Sequence, residues 1–411
     1  MTTKMKNLAG ITVQIGINVQ PGQPVVINTP VECADFARLL AQAAYEAGAG
    51  DVLLDYSDAR LARLRYDNVS IERLTNIPNW KIDKLHSRLD EGAAMISIHA
   101  DDPSVMAGVD TSKVLAASRA SQAATKFYHE AVITNANRWC VISVPTPGWA
   151  KKVFPDLSET EAVSALWEAI FKATRTDLPD PVAAWRQHDD SFKSIAGYLN
   201  QKQFKILHYK NSLGTDFTIG MPDNHVWAGG SENAKDGVNF FPNIPTEEIF
   251  SAPHKDTANG TLVAAYPLVY HGQLIENFSL TFKDGVVVDF SAETGYEALD
   301  SLIHSCPGSD RLGEIALVPA RSPISEMGIL FYNTLFDENA ACHFALGSCY
   351  PECVAGGAEL SEAEQNAIGL NTSDTHVDFM VGTTDLTITG IDADGNAWPI
   401  FIDGNFADFL H

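Results

Sequence analysis

The stretch PVVINTPVECADFARLLAQAAYEAGAGDVLLDY, residues 24–56, decides the fold. It opens on PVVINT (24–29), which reads as a buried strand. Phe36, Leu39, Leu40, Ala43 and Ala47 then recur at helical spacing, and Gly48 ends the helix. DVLLDY (51–56) is the next strand. Strand, helix and strand in succession predict two parallel strands, because the chain must cross over through the helix before it pairs again. AAMISIHA (93–100) and RWCVISVP (138–145) continue the pattern, with helical segments between them. The N-terminal part therefore reads as α/β, a parallel sheet flanked by helices.

Further along, residues 155–205 read as mostly helical, for example in EAVSALWEAIFKA. The texture then changes. TLVAAYPLVYHGQLIENFSLTFKDGVVVDFSAE (261–293) alternates apolar and polar residues and is broken by HGQ and KDG, which are hairpin signals. A further hairpin, DLTITGIDADGNAWPIFIDG, closes the chain. The expected organisation is an α/β domain over residues 1–205 and an α+β domain with antiparallel strands over 206–411. No internal repeat or low-complexity tract interrupts it.

Composition is that of an ordinary globular protein, 45% hydrophobic and 19% charged. A formal net charge of −24 repels phosphate backbones, so nucleic acid is not an expected partner. No apolar run approaches the roughly 20 residues that span a bilayer, so no membrane is expected either. The N-terminus lacks the pattern of a secretory signal, and the scattered cysteines read as reduced thiols of a cytoplasmic protein. HExxH, the P-loop and GxSxG are absent. GAGDVL lacks the third glycine of a dinucleotide fingerprint and follows a helix.

Four C-terminal segments carry acid or histidine inside an apolar pattern. In HVDFMV, read as a strand, His376 and Asp378 share one face while Val377 and Phe379 share the other. In EEIF the same alternation makes Glu247 and Glu248 diverge, so one of them points into a site. Glu314 precedes IALV and is expected to be buried, at a cost of several kcal/mol without a partner. NTLFDENAACHFALGSCY (333–350) brings Glu338, His343 and Tyr350. It is expected to be a helix from Asn333 or Asp337, with His343 and Tyr350 two turns apart on one face and Glu338 reaching in from the helix start.

Carboxylates plus imidazole suit Zn, Co, Mn or Mg, and a set this rich in acids fits a two-metal hydrolytic site. Each residue alone has a plainer reading: a solvated acid, a satisfied core histidine, a packing tyrosine. Cys342, Cys349 and Cys353 lack zinc-knuckle spacing and read best as small buried hydrophobes. A silent protein with one structural cation, or a thiol hydrolase using one of those cysteines, stays open on the residues alone.

Several motifs resemble a known family: GINVQPGQPVVI, AYEAGA, WAKKVFPD, GTDFTIGMP, NIPTEEIFSAP, LGEIALVP, FYNTLFDENAACHFALG and HVDFMVG. They are similar to the metal-dependent aminopeptidases grouped with aminopeptidases T and S of thermophilic bacteria and peptidase S of lactic acid bacteria. The resemblance runs from about residue 10 to the C-terminus. It implies a cytoplasmic homodimer with two divalent cations per subunit that removes the first residue of peptides with a free N-terminus. By the same resemblance Glu248, Glu314, Glu338, His343, His376 and Asp378 are metal ligands, with Glu314 bridging. Tyr350 helps stabilise the transition state, and Glu314 or Glu248 shuttles a proton. Cys349 and Cys353, flanking Tyr350, depart from the family pattern. The N-terminal domain is expected to shape the dimer and restrict access to short peptides.

Overall fold

The computed structural model describes residues 1–100, 102, 104–271 and 273–408. The chain falls into two compact units. One comprises Met1–Arg186, Ser231–Pro245 and Leu330–Leu335; the other comprises Gln187–Gly230, Thr246–Ile329 and Phe336–His411.

The first unit holds a parallel four-stranded sheet in the order Asp51–Ser57, Pro24–Pro30, Ala94–Ile98, Trp139–Ile142. The apolar run Val25–Ile27 lies on an inner strand and is fully buried, since its side chains point alternately to two faces that are both covered. The crossover helix Ala34–Glu46 buries Phe36, Ala37, Leu40 and Ala44, a stripe at the expected spacing. It ends where Gly48 takes φ +99°, a left-handed conformation that a glycine adopts without steric cost.

The division differs from a single cut near residue 205. The break falls inside the helix Pro181–Lys202, and the chain returns to the first unit twice. Hydrogen bonding explains the first return: Val141 N–H donates to Pro242 O and Ile244 N–H to Val141 O, so this segment lies along the edge strand Trp139–Ile142. In the second return, Trp149 Nε1 donates to Phe331 O at 2.6 Å.

Among the described residues the second unit contains a two-stranded antiparallel hairpin, Leu268–Tyr270 with Gln273–Ile275, and two larger antiparallel sheets. Eight strands run in the order Val286–Ser291, Ser279–Lys283, Asn259–Val263, Asp216–Gly220, Ile206–Lys210, Thr387–Ile391, Ala397–Ile402, Asn405–Phe406. The KDG signal is a tight hairpin, with Asp284 and Gly285 both at positive φ. The other sheet has four strands: His376–Met380, His343–Gly347, Leu312–Leu317 and Ile249–Ser251. Phe344, at its centre, packs on Tyr209 (ring centroids 5.0 Å apart), Phe217 (5.4 Å) and Phe379 (6.3 Å). One face of the small sheet is thus committed to the core, and the alternate residues point the other way. The mixture of parallel α/β and antiparallel α+β parts is the architecture expected from the sequence. Among the described residues no helix is long and apolar enough to cross a membrane.

Candidate metal centre

Strand alternation builds the site. Because Phe344 and Phe379 face the core, His343, Ala345, His376 and Asp378 face the opposite side. The register sets Glu314 opposite Ala345, and Ala345 opposite Asp378. A single methyl group therefore stands between two carboxylates that converge from the flanking strands. Gly347, at φ +109°, pairs with His376; a Cβ there would collide with the Thr375 carbonyl, so glycine permits the close pairing at the foot of this histidine.

The remaining residues come from outside the paired strands. Glu248 immediately precedes Ile249–Ser251, and Glu247 points away from it, buried against His188. This is the divergence that alternation requires. The helix expected over residues 337–347 does not form: Thr334–Asp337 is a short helix, Glu338–Ala340 a 3-10 turn, and His343–Gly347 a strand. The reason is burial on both faces. All five residues of that strand are buried, with a partner strand on each side, so the segment carries no alternation that separates it from helix. His343 and Tyr350 consequently share no helical face. Tyr350 arrives just before the 3-10 turn Pro351–Cys353, and its ring lies 5.3 Å from that of His376 and 5.9 Å from that of Phe250.

The side chains meet closely. His343 Nε2 lies 3.2 Å from Glu248 Oε2, and His376 Nε2 lies 3.0 Å from Glu314 Oε2 and 3.3 Å from Asp378 Oδ1. Two groups have all their ligand atoms within 4.8 Å of one another, Glu248–Glu314–His343 and Glu314–His376–Asp378, and Glu314 belongs to both. Glu338 is half-buried beside them. Burial, then the charges of Glu248 and Asp378, push its carboxyl well above the usual range. Burial likewise raises the Glu314 carboxyl, against the pull of His376. Burial opposes charge on the imidazoles, but Glu248 pushes His343 up to about 10, and Asp378 and Glu314 push His376 up to about 11. Tyr350 keeps 37% of its surface exposed, yet desolvation followed by the charges of Glu314 and Asp378 raises its hydroxyl pKa well above the ordinary value. Its O–H stays protonated at neutral pH.

The donor set fits divalent cations. Four carboxylates crowd into one buried place, and among the described residues no lysine or arginine pairs with them. Asp378 Oδ1 is buried without a hydrogen bond, its approach to His376 lying outside hydrogen-bond geometry. Each imidazole is tethered by its other nitrogen, His343 Nδ1 to Ala341 O at 3.1 Å and His376 Nδ1 to Ser348 O at 2.7 Å. A carbonyl only accepts, so Nδ1 carries the proton in both rings and Nε2 faces the carboxylates, the arrangement that orients a metal-ligating histidine.

Residues 1–406 match the thermophilic metalloprotease family M29. The chain belongs to that family. Over 404 residues it is 46% identical to Aminopeptidase 2 of Geobacillus stearothermophilus, with 98% of each chain covered. Aminopeptidase AmpS of Bacillus subtilis (strain 168) is 43% identical over 404 residues, again with 98% of each chain covered. In structure the chain resembles wild-type AmpT from Thermus thermophilus, with a TM-score of 0.93 at 38% identity and 99% of both chains covered. The protein is a metallo-aminopeptidase, a hydrolase, as the sequence resemblance implied.

The cysteines stand apart from this chemistry. Cys140, Cys306, Cys342 and Cys349 are free thiols. Cys342 donates to Val318 O and accepts from Val318 N–H, both at 3.3 Å, and burial pushes its thiol up to about 12. Burial also pushes the Cys349 thiol up to about 12. Sequence reasoning missed two residues of the site. Ala345 carries no chemical signal and becomes visible only through strand register. Asn339, fully buried behind Glu338, follows an acid in a turn and fits no spacing rule.

Proposed function

We propose that the protein hydrolyses the first peptide bond of short peptides and that the buried cluster holds two divalent cations. The supporting observation is that Glu314 belongs to two ligand groups at once, which suits a carboxylate bridging a cation pair. Glu248, Glu338 and His343 would hold one cation, and His376 and Asp378 the other. Zn, Co, Mn or Mg would suit these oxygen and nitrogen donors. When bound, such ions supply Lewis acidity and lower the pKa of water, here to make the nucleophile available at neutral pH.

The chain's own groups do the rest. The free α-amino group of a peptide would be anchored by a cation or an acidic side chain of the cluster, which would account for action at the N-terminus. Tyr350 O–H donates to the oxyanion as it develops on the scissile carbonyl, a contribution of roughly 2.7–4 kcal/mol at comparable sites. Glu314 or Glu248 carries the proton to the leaving amine.

Pairing into a homodimer through the α/β unit is supported by its edge strand. Leu53 and Tyr56 are exposed on Asp51–Ser57, and Leu61 and Leu64 are exposed on the helix that follows. The free thiols of Cys140, Cys306, Cys342 and Cys349 favour a cytoplasmic setting.

The test is metal analysis of the purified protein together with a dipeptide panel. Chelation abolishes hydrolysis of free dipeptides and of aminoacyl chromogenic substrates, and Co or Zn restores it. N-acetylated peptides stay intact. Hydrolysis that persists in chelator contradicts the scheme.

A further inference from the structure

Glu314, His343, His376 and Asp378 stand on strands whose ladders fix their positions. Glu248 and Glu338 do not. Pairing of Ile249–Ser251 with Leu312–Leu317 ends at Leu317 opposite Ile249, so Glu248 lies one residue beyond the last pair. Glu338 opens a 3-10 turn that belongs to no sheet. Both acids need another support to face the other ligands, because mutual repulsion drives buried carboxylates apart.

One side chain touches both segments. Asn339 is fully buried. Its Oδ1 accepts a 2.6 Å hydrogen bond from the Glu247 N–H, in the peptide unit just ahead of the one that joins Glu247 to Glu248. Since an N–H needs an acceptor, this bond fixes which way the amide points and turns Nδ2 toward Glu338 Oε1, 3.4 Å away. The Glu248 side is pinned from behind as well, where His188 Nε2 donates to Thr246 O at 2.9 Å.

Resting on the two-cation reading above, we propose that Asn339 is a positioning residue. It ties the Glu338 carboxylate to the backbone that leads into Glu248 and thereby sets the affinity of the cation held by Glu248, Glu314, Glu338 and His343. The cation held by Glu314, His376 and Asp378 does not depend on it. Asparagine suits the task because it offers an acceptor and a donor from one rigid planar group, and it adds no fifth negative charge to the cluster.

The experiment titrates Co²⁺ alone into metal-stripped full-length protein by calorimetry, for wild type, Asn339→Leu and Asn339→Asp. Far-UV circular dichroism and the melting temperature in chelator serve as folding controls. Wild type binds two cations. Asn339→Leu, close in volume but without hydrogen bonds, weakens one of them about 10–100-fold, the usual effect of losing an outer partner of a ligand, and leaves the other unchanged. Asn339→Asp keeps an acceptor for the Glu247 N–H but cannot donate to Glu338 in its ionised form, and it falls between the two. The inference is overturned if Asn339→Leu binds both cations as wild type does. It is equally overturned if both variants lose both cations together with their circular dichroism spectrum, since Asn339 would then only maintain the fold. Wild type that binds no second cation overturns the two-cation reading itself, and that result is visible before any variant is compared.

Discussion

Ala345→Val tests the geometry of the site most directly. Ala345 is fully buried at the middle of the small sheet, with Glu314 opposite it on one side and Asp378 on the other. Directly opposed residues on neighbouring strands have Cβ atoms about 4.5–5.5 Å apart. Two added methyl groups therefore enter the space into which both carboxylates lean, with no solvent to escape to. Overpacking of this kind costs about 1–3 kcal/mol, and each kcal/mol lowers Tm by roughly 2–4 °C in a domain of this size. The functional loss is predicted to be larger. Displacing the two acids by about an ångström costs on the order of 10²-fold in turnover. The assay is hydrolysis of an aminoacyl chromogenic substrate, with melting curves in chelator and in Co²⁺. The expected signature is a modest fall in chelator Tm, a smaller Co²⁺-induced rise, and a fall in kcat/KM of about a hundredfold. Ala345→Gly leaves the acids their room and retains more activity than Ala345→Val. Wild-type kcat/KM together with a wild-type Co²⁺ shift in Ala345→Val would refute the claim that this methyl lies between the two acids.

Three other predictions concern the chemistry. Tyr350→Phe lowers kcat by about 10²–10³-fold with little change in KM; an unchanged kcat removes Tyr350 from the mechanism. Glu314→Gln eliminates hydrolysis while the circular dichroism spectrum stays near normal, because the strand's ladders do not use the carboxylate; substantial turnover in that variant sinks the bridging role. Iodoacetamide at neutral pH leaves the native enzyme active, since the Cys342 and Cys349 thiols, each pushed up to about 12, hold almost no thiolate there. Inactivation matched to alkylation of either cysteine would revive a thiol mechanism.

Legibility of the fold followed the strength of periodicity. The helix Ala34–Glu46 and the tight turn at Asp284–Gly285 were readable because each carries a local signal, an apolar stripe or a turn dipeptide. His376 and Asp378 were readable as neighbours for the same reason, since the period of two survives wherever a strand has unlike faces. His343–Gly347 was misread as helix because it is buried on both faces and rich in residues that suit either state. Its place as a central strand is dictated by Leu312–Leu317 and His376–Met380, both remote in sequence. The two returns of the chain to its first unit were hidden for a related reason: the first rests on backbone bonds such as Val141 N–H to Pro242 O and the second on the Trp149 indole reaching the Phe331 carbonyl, and no local periodicity reports either. Asn339 lay beyond reach because its importance comes from a peptide group far away in the chain, at Glu247.

The tethers of the two imidazoles have a consequence for how this protein can vary. Ala341 and Ser348, whose carbonyls hold the two rings, bracket the central strand His343–Gly347. That strand therefore acts as a ruler whose length measures out the gap between the two histidines. Losing or gaining one residue within it would slide one anchor by about 3.4 Å and turn the following side chains to the wrong face. This short span therefore admits no insertion or deletion that keeps both rings in place.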